Sequence, residues 1–305
     1  DRKKGEPLLK RHKDIAAALQ NTFEKIVFHQ LNHLYKVTKT ENICLAGGAA
    51  MNSVFNGKIL KNTKFKNLYV PPYPDDTGVS IGAAIYEYSK QKNFKRVTIK
   101  HNYLGPSFEE KEIDKLIKNY KLNANKYSKI ENIVAKELSM GKLIGWFQGR
   151  MEFGPRALGN RSIISSPIGP NIKNLINSKI KLREKFRPFA PAILEEKVTE
   201  WFDKKINSEF MSFVGKIKKN KRSIIPAVTH IDGTDRLQTV NIEQNEKFYK
   251  LIKKFYEISN IPILLNTSFN ENEPIVMTPE QALECFLRTE MDYLVINDFF
   301  IYKKN

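Results

Sequence analysis

The sequence predicts an α/β protein built in two parts. Three observations carry that reading. Short apolar runs with the length of buried strands alternate with longer segments whose apolar residues recur at helical spacing. Glycines stand where such a run gives way to a helix, at Gly47-Gly48 and again at Gly78. A polar, basic interval from Ser89 to Asn102 separates two stretches of this pattern. The 305 residues suit two domains at roughly 150 residues each.

The elements follow in order. Ile15, Leu19, Phe23, Ile26, Val27, Leu31 and Leu34 predict one amphipathic helix over 13–36. Ile43 to Ala46 reads as a buried strand ending in Gly47-Gly48, and 49–60 as a helix that begins with small residues. Leu68-Tyr69-Val70 is a strand stopped by Pro71-Pro72, and 78–88 starts with glycine and becomes a helix of small residues. The second part opens at Tyr103-Leu104-Gly105-Pro106. Helices are expected there at 109–120, 130–139, 171–182 and 244–258, and strands at 143–147, 189–194, 261–265 and 294–296. Thr278-Pro279-Glu280-Gln281 is a helix start, with Thr as N-cap, Pro first inside and Gln placed to return a hydrogen bond. Residues 203–224 are charged and weakly patterned.

A hydrophobic share of 41% with 28% charged residues excludes a disordered or fibrous chain. No apolar run approaches the ~20 residues that cross a bilayer. The opening Asp1-Arg2-Lys3-Lys4-Gly5 has no apolar segment after it, so no signal peptide is expected, and a start without Met suggests a piece of a longer chain. Cys44 and Cys285 make neither a disulfide framework nor a zinc site, so a cytoplasmic location is expected. Lys+Arg 51 against Asp+Glu 33 gives a net charge of +18, spread as +7 over residues 1–93 and +11 over the rest. Unclustered charge reads as a solvated surface, with an RNA-binding or tRNA-modifying protein as the rival. The arginines are flanked by glycine in single loops and are not interleaved with aromatics for base stacking, which disfavours that rival.

Several stretches can carry chemistry. Gly47-Gly48-Ala49-Ala50-Met51-Asn52 joins a strand to a helix, where free N–H groups suit an anion; a plain tight turn reads equally well. Asp75-Asp76 precedes a small-residue helix and suits a cation, a ribose or a helix cap. His29 and His33 share a helix face, but no acidic third ligand lies close in sequence. Residues 149–162 place Arg150, Arg156 and Arg161 in a loop punctuated by Gly149, Gly154 and Gly159, and Arg forks match phosphate oxygens. Lys181, Arg183, Lys185 and Arg187 add cations at a helix end. Residues 229–239 mix turn residues with Arg236, and 266–274 are dense in hydroxyls and amides suited to recognising a planar polar group.

Taken in order, these motifs resemble the O-carbamoyltransferases of the NodU and tobramycin carbamoyltransferase type. The matching pieces are Leu45-Ala46-Gly47-Gly48, Asp76, residues 154–162, Phe186-Arg187-Pro188-Phe189-Ala190-Pro191, Asn266-Thr267-Ser268-Phe269-Asn270 and Phe286-Leu287-Arg288-Thr289. The resemblance implies the C-terminal part of an actin-like ASKHA domain over 1–93, a linker at 94–102, and a YrdC-like α/β domain over 103–305. It implies that carbamoyl phosphate and ATP form carbamoyl-adenylate with release of pyrophosphate, and that the carbamoyl group then passes to a hydroxyl on a small-molecule acceptor. Arg156, Lys181 and Arg187 would be catalytic, and Arg236, Asn266, Ser268 and Asn272 would bind the co-substrates. Gly47, Gly48 and Asn52 would cradle the adenylate, and Asp76 would be a metal ligand. The implied cofactors are ATP with Mg²⁺ and Fe²⁺ or another divalent ion in the ASKHA domain. The expected partner is the small-molecule acceptor, with neither membrane nor nucleic acid, and a homodimer is left open as the assembly. The family's paired-histidine metal motif is absent here, and His29 and His33 lie in the wrong place to replace it. The chain therefore looks like the C-terminal portion of a longer enzyme, in which a regulatory role for this piece is the alternative.

Overall fold

A computed structural model describes residues 2–3 and 5–303; Asp1 and Lys4 of the basic N-terminal stretch, and residues 304–305, lie outside the described residues. The N-terminal part begins with helix α1 (Lys10–Thr38), which ends where Lys39 takes a left-handed conformation. Strand β1 (Asn42–Cys44) pairs in parallel with β2 (Asn67–Tyr69), and helix α2 (Ser53–Asn62) connects them. A parallel pair needs such a crossover because its strands run the same way. Leu31, Ile43, Phe55, Ile59 and Phe65 form the small core here, with the Phe23 ring edge-on to Phe55 at 5.2 Å. Helix α3 (Gly78–Ser89) follows, and none of its residues is buried.

No helix or strand then forms until α4 (Glu110–Asn119). The interval is nevertheless stitched to the C-terminal part. Asn102 and Phe153 exchange hydrogen bonds, Gly105 N–H donates to Met151, and Met151 N–H donates to Pro106.

The C-terminal part continues with β3 (Asn123–Lys126), α5 (Ile130–Ser139), β4 (Ile144–Phe147), β5 (Arg161–Ser165), α6 (Ile172–Lys179) and β6 (Ala190–Leu194). It proceeds through α7 (Val198–Trp201), β7 (Val214–Lys216), β8 (Thr234–Arg236), β9 (Gln238–Val240) and α8 (Glu246–Ser259). It ends with β10 (Ile263–Ser268), α9 (Pro279–Arg288), β11 (Tyr293–Ile296) and β12 (Phe299–Tyr302). One mixed sheet runs β3-β12-β11-β4-β5-β10-β6-β9, and β7-β8 form a separate antiparallel ribbon. Only β11–β4 and β6–β9 are parallel in the large sheet. β4, β5 and β6 are buried at every position, which requires cover on both faces of the sheet. Helix α8 packs on α5 and on β6 and β10; α9 packs on β4 and β11.

The α/β expectation holds as a large mixed sheet with helices. Alternating strands and helices do not make this sheet parallel, because β4 returns into β5 through a loop and β11 into β12 through the two residues Asn297 and Asp298, with Asn297 left-handed. The start of α9 forms as read: Thr278 Oγ1 accepts from Gln281 N–H, and Gln281 Oε1 accepts from Thr278 N–H. The two parts meet along a seam. Asn56 donates to Ser212 O at 3.0 Å, and Tyr73 meets Phe153 edge-on at 5.5 Å. A Cβ on Gly154, whose φ is +124°, would meet Pro72 O at 2.9 Å.

Candidate functional site

The loop between β4 and β5 carries the three arginines, and burial sorts them into different roles. Arg161 opens β5 fully buried and donates to the carbonyls of Pro106, Gln148, Gly149, Asn160 and Met277. Its guanidinium carbon lies 3.5 Å from the centre of the Phe147 ring. Arg161 is therefore a strut of the core. Arg150 ties the loop to the preceding segment, donating to Leu104 O at 2.7 Å and Gly105 O at 3.0 Å. Buried Glu152 accepts from Leu158 N–H at 2.6 Å and Asn160 N–H at 2.8 Å, which fixes the far side of the loop. Arg156 is half-buried between these anchors. Burial lowers its guanidinium from the ordinary range, and the charge of Asp75 across the seam partly offsets this.

Arg156 has cationic company. Burial pulls Arg236, at the end of β8, down to about 10, and the charges of Arg156 and Arg183 push the same way. Its Nε is buried with no hydrogen-bond partner among the described residues. Arg183 is itself lowered, first by burial and then by Arg187. Three guanidinium groups thus share one field from three separate segments, an arrangement that favours a multiply charged anion.

Lys181 completes the group. It is 3% exposed, and its Nζ donates to Asn270 Oδ1 at 2.6 Å, Asn270 O at 2.7 Å and Ser268 O at 2.5 Å, with Ser268 Oγ at 3.2 Å. Burial, followed by repulsion from Arg183, pulls its ammonium down to about 7. The surrounding oxygens suit an ammonium and oppose that pull. Asn266, one strand residue pair earlier, donates to Ala157 O at 3.3 Å and Gln238 Oε1 at 2.8 Å, so it ties β10 to the arginine loop and to β9. Its Oδ1 is buried without a partner.

The structure therefore gathers Arg156, Lys181, Arg236, Asn266 and Ser268. It sets other expected residues apart. Arg187 is exposed and pairs with Glu184 at 3.1 Å; Arg183 donates to Asn177 Oδ1 at 2.8 Å and lies over the Phe189 ring, and its charge is felt at Arg236. Asn272 is exposed, and its side chain meets Glu271. Asn52 caps α2 by accepting from Phe55 N–H at 3.1 Å and is held by Gln20 at 2.9 Å. Gly47 adopts φ +91° and donates to Pro74 O at 2.6 Å, so the Gly47-Gly48 turn stands beside the Asp75-Asp76 loop. Both border a cavity of about 370 Å³ with Tyr73, Pro74 and Ile81. Its charged lining consists of the two carboxylates, which suits the phosphate chemistry less than the arginine side does.

Asp76 is an exposed carboxylate, and Thr77 Oγ1 donates to its neighbour Asp75 at 2.6 Å. Among the described residues no three His, Cys, Asp or Glu side chains come together. His29 and His33 are exposed on α1. The donors of this chain alone do not fit a complete site for a divalent metal. Sequence reading placed Asn270, Gln238 and the pair His230 and Asp235 within its candidate stretches but gave them no site role. The last two lie within the 229–239 stretch without a role of their own there, and only the tertiary fold brings them together and buries Asp235.

Two family models match the chain: Carbamoyltransferase N-terminus over residues 2–85 and Carbamoyltransferase C-terminus over residues 135–303. An uncharacterized protein of Synechocystis is 42% identical, over 97% of this chain and 53% of its own length. Nodulation protein NolO of Bradyrhizobium diazoefficiens is 40% identical, over 99% of this chain and 57% of its own. The chain thus spans about half the length of these relatives. Among solved structures, full-length HypF in the phosphate- and nucleotide-bound form aligns with a TM-score of 0.39 and 19% identity, covering 59% of this chain and 22% of that one. A likeness that remote carries no argument about function. Among the described residues, no helix is long and apolar enough to cross a membrane.

Proposed function

The chain belongs to the carbamoyltransferase family, and from that premise we propose that its C-terminal part forms carbamoyl-adenylate from carbamoyl phosphate and ATP. The observation that carries this reading is the convergence of Arg156, Arg183 and Arg236 with buried Lys181. ATP and carbamoyl phosphate together bring about six negative charges, and fixed cations offset their repulsion as the reacting groups approach. Atom balance sets the sequence. Water cleaves the carbamoyl phosphate phosphorus–oxygen bond, releasing inorganic phosphate and carbamate. A carbamate oxygen then attacks the α-phosphorus of ATP, and pyrophosphate leaves. Transfer follows when the hydroxyl oxygen of a small acceptor attacks the carbamoyl carbon and AMP departs.

The residues divide these tasks. Arg156 and Arg236 hold the phosphate oxygens, Lys181 fixes Ser268 and Asn270 beside them, and the polar end of β10 recognises the planar carbamoyl group. In this reading the N-terminal part is the remainder of an ASKHA-type domain, the C-terminal part is YrdC-like, and the Gly47-Gly48 turn faces the adenylate. Mg²⁺ accompanies ATP as substrate. Asp76 supplies one carboxylate, so a divalent ion in the transfer domain takes its other donors from outside this chain, and no step is assigned to it. The cations are enclosed by the fold rather than laid across an exposed face, which favours a small anion over a nucleic-acid backbone.

The test is ATP- and carbamoyl-phosphate-dependent pyrophosphate release by the complete protein that contains this chain. Arg156→Ala should lose about 2–4 kcal/mol of transition-state stabilisation, which reads as a rate reduced by about 1.5 to 3 orders of magnitude. Asp76→Ala should leave pyrophosphate release intact and block formation of carbamoylated product. Pyrophosphate release that needs Asp76 and ignores Arg156 would reverse the assignment.

A further inference from the structure

A half-buried histidine and a fully buried aspartate that the adenylation chemistry does not touch lie directly behind Arg236. Strand β8 alternates, with Asp235 inward and fully buried and Thr234 and Arg236 half-buried on the other face. One carboxylate oxygen of Asp235 accepts the backbone N–H of Arg236 at 2.7 Å and faces His230 Nε2 at 3.2 Å. The other oxygen is buried with no partner among the described residues.

His230 is fixed in turn. Its N–H donates to Thr234 O at 3.0 Å, and its carbonyl accepts from Gly233 N–H at 2.9 Å, closing a tight turn. Gly233 takes φ +76°, and a Cβ there would meet the Arg222 guanidinium at 2.2 Å. Asp232 accepts from Thr234 N–H at 3.0 Å and from its hydroxyl at 2.7 Å. That hydroxyl stands 3.5 Å from His230 Nδ1. For Nε2 to donate to an ionised Asp235, Nε2 must carry the proton, which assigns the imidazole its donor side.

We propose that His230 and Asp235 are positioning residues that hold Arg236 in the anion site. The physical need is clear. Arg236 is repelled by both Arg156 and Arg183, so without a counter-charge behind it the guanidinium would swing away when no ligand is bound. Asp235 offers that charge from the buried side, where it cannot compete with a ligand for the guanidinium face, and His230 keeps it ionised and oriented. The buried carboxylate is no gain in stability by itself: burial pushes it up to about 6, against the opposing pull of His230 and then Arg236. Between the ordinary carboxylate range and about 6 the folded chain holds a proton that the unfolded chain lacks, so this group's contribution to stability falls as pH rises through that window. A neutral isostere should therefore leave the thermal midpoint at pH 8 unchanged or higher.

The inference rests on the anion-site reading, and the experiment separates the two. The probe is inorganic pyrophosphate, titrated calorimetrically at pH 8 into this chain and its variants. Arg236→Gln tests the site, and its affinity should fall about tenfold or more, the loss of a charged hydrogen-bond donor. Asp235→Asn and His230→Ala should each weaken binding about fivefold, with Asp235→Asn retaining the wild-type thermal midpoint, while His230→Gln, whose amide can still donate to Asp235, should recover most of the affinity. Added to Arg236→Gln, Asp235→Asn should cost nothing more, because it acts only through Arg236. Full affinity in Asp235→Asn beside a weakened Arg236→Gln overturns the positioning role alone. A weakened Asp235→Asn with a collapsed thermal midpoint, or a further loss in the double variant, overturns it in favour of a structural role. Full affinity in Arg236→Gln overturns the site reading and this inference with it.

Discussion

Helices α1 and α8 both carry apolar residues at helical spacing and meet opposite fates. In α8, Phe248, Leu251, Ile252 and Phe255 are all buried, a run at helical spacing that packs on α5, β6 and β10. In α1, twice as long, only Leu31 is buried, and Ile15 and Leu19 are 66% and 71% exposed. The periodic signal reports which face of a helix is apolar. It does not report whether anything covers that face. In this chain the larger core, and most of the cover, lies in the C-terminal part, while the N-terminal part keeps a small core around Leu31, Phe55 and Ile59.

The contrast can be broken by substitution. Phe255→Ala should cost about 3–5 kcal/mol in urea unfolding, since it empties a packed position with nothing to refill it. An effect under about 1 kcal/mol would show that α8 is no more anchored than α1. Arg161→Ala should cost about 3 kcal/mol, because the buried carbonyls of Gln148 and Asn160 lose a charged donor and the packing on Phe147 goes with it, whereas Arg156→Ala should leave the midpoint near that of the wild type. Equal costs would mean the two arginines share one role. Lys181 sharpens the comparison from the side of the site. Its ammonium loses its proton as pH rises through about 7, so pyrophosphate affinity should fall by about tenfold across that range. Lys181→Met should bind weakly at every pH and show no such fall. At the small end, Leu19→Gln should change stability by less than about 0.5 kcal/mol in this chain, as measured by thermal unfolding.

Much of the fold was legible wherever periodicity and burial coincide. The helix expected at 130–139 is α5, whose Ile130, Val134, Ala135 and Leu138 are the buried stripe. Strand β5 escaped because it begins with Arg161 and Ser162, which read as loop ligands; burial of an arginine on an aromatic ring leaves no mark in a linear pattern. Strand β3, Asn-Ala-Asn-Lys, escaped because it is a polar, mostly exposed edge, held by register with β12 rather than by its own apolar face. Of the candidate site, Arg156, Lys181 and Arg236 were named through the ordered resemblance of their motifs rather than from spacing alone. The approach of Arg183 to Arg236, and the His230–Asp235 pair behind it, were not, since these depend on how three distant segments are brought together.

The seam at Gly154 has a mechanical side. The two parts touch there across the gap between a glycine and the Pro72 carbonyl, a distance that a single methyl group would overfill. The gap acts as a spacer gauge for the whole boundary, set by an absent carbon rather than by any bond. On either side of it stand Asp75 and Arg156, whose mutual attraction changes with their separation. Drift in the gauge, from any residue bulky enough to wedge the seam, would therefore be felt at the arginine as a changed charge environment, although no group that handles substrate had been altered.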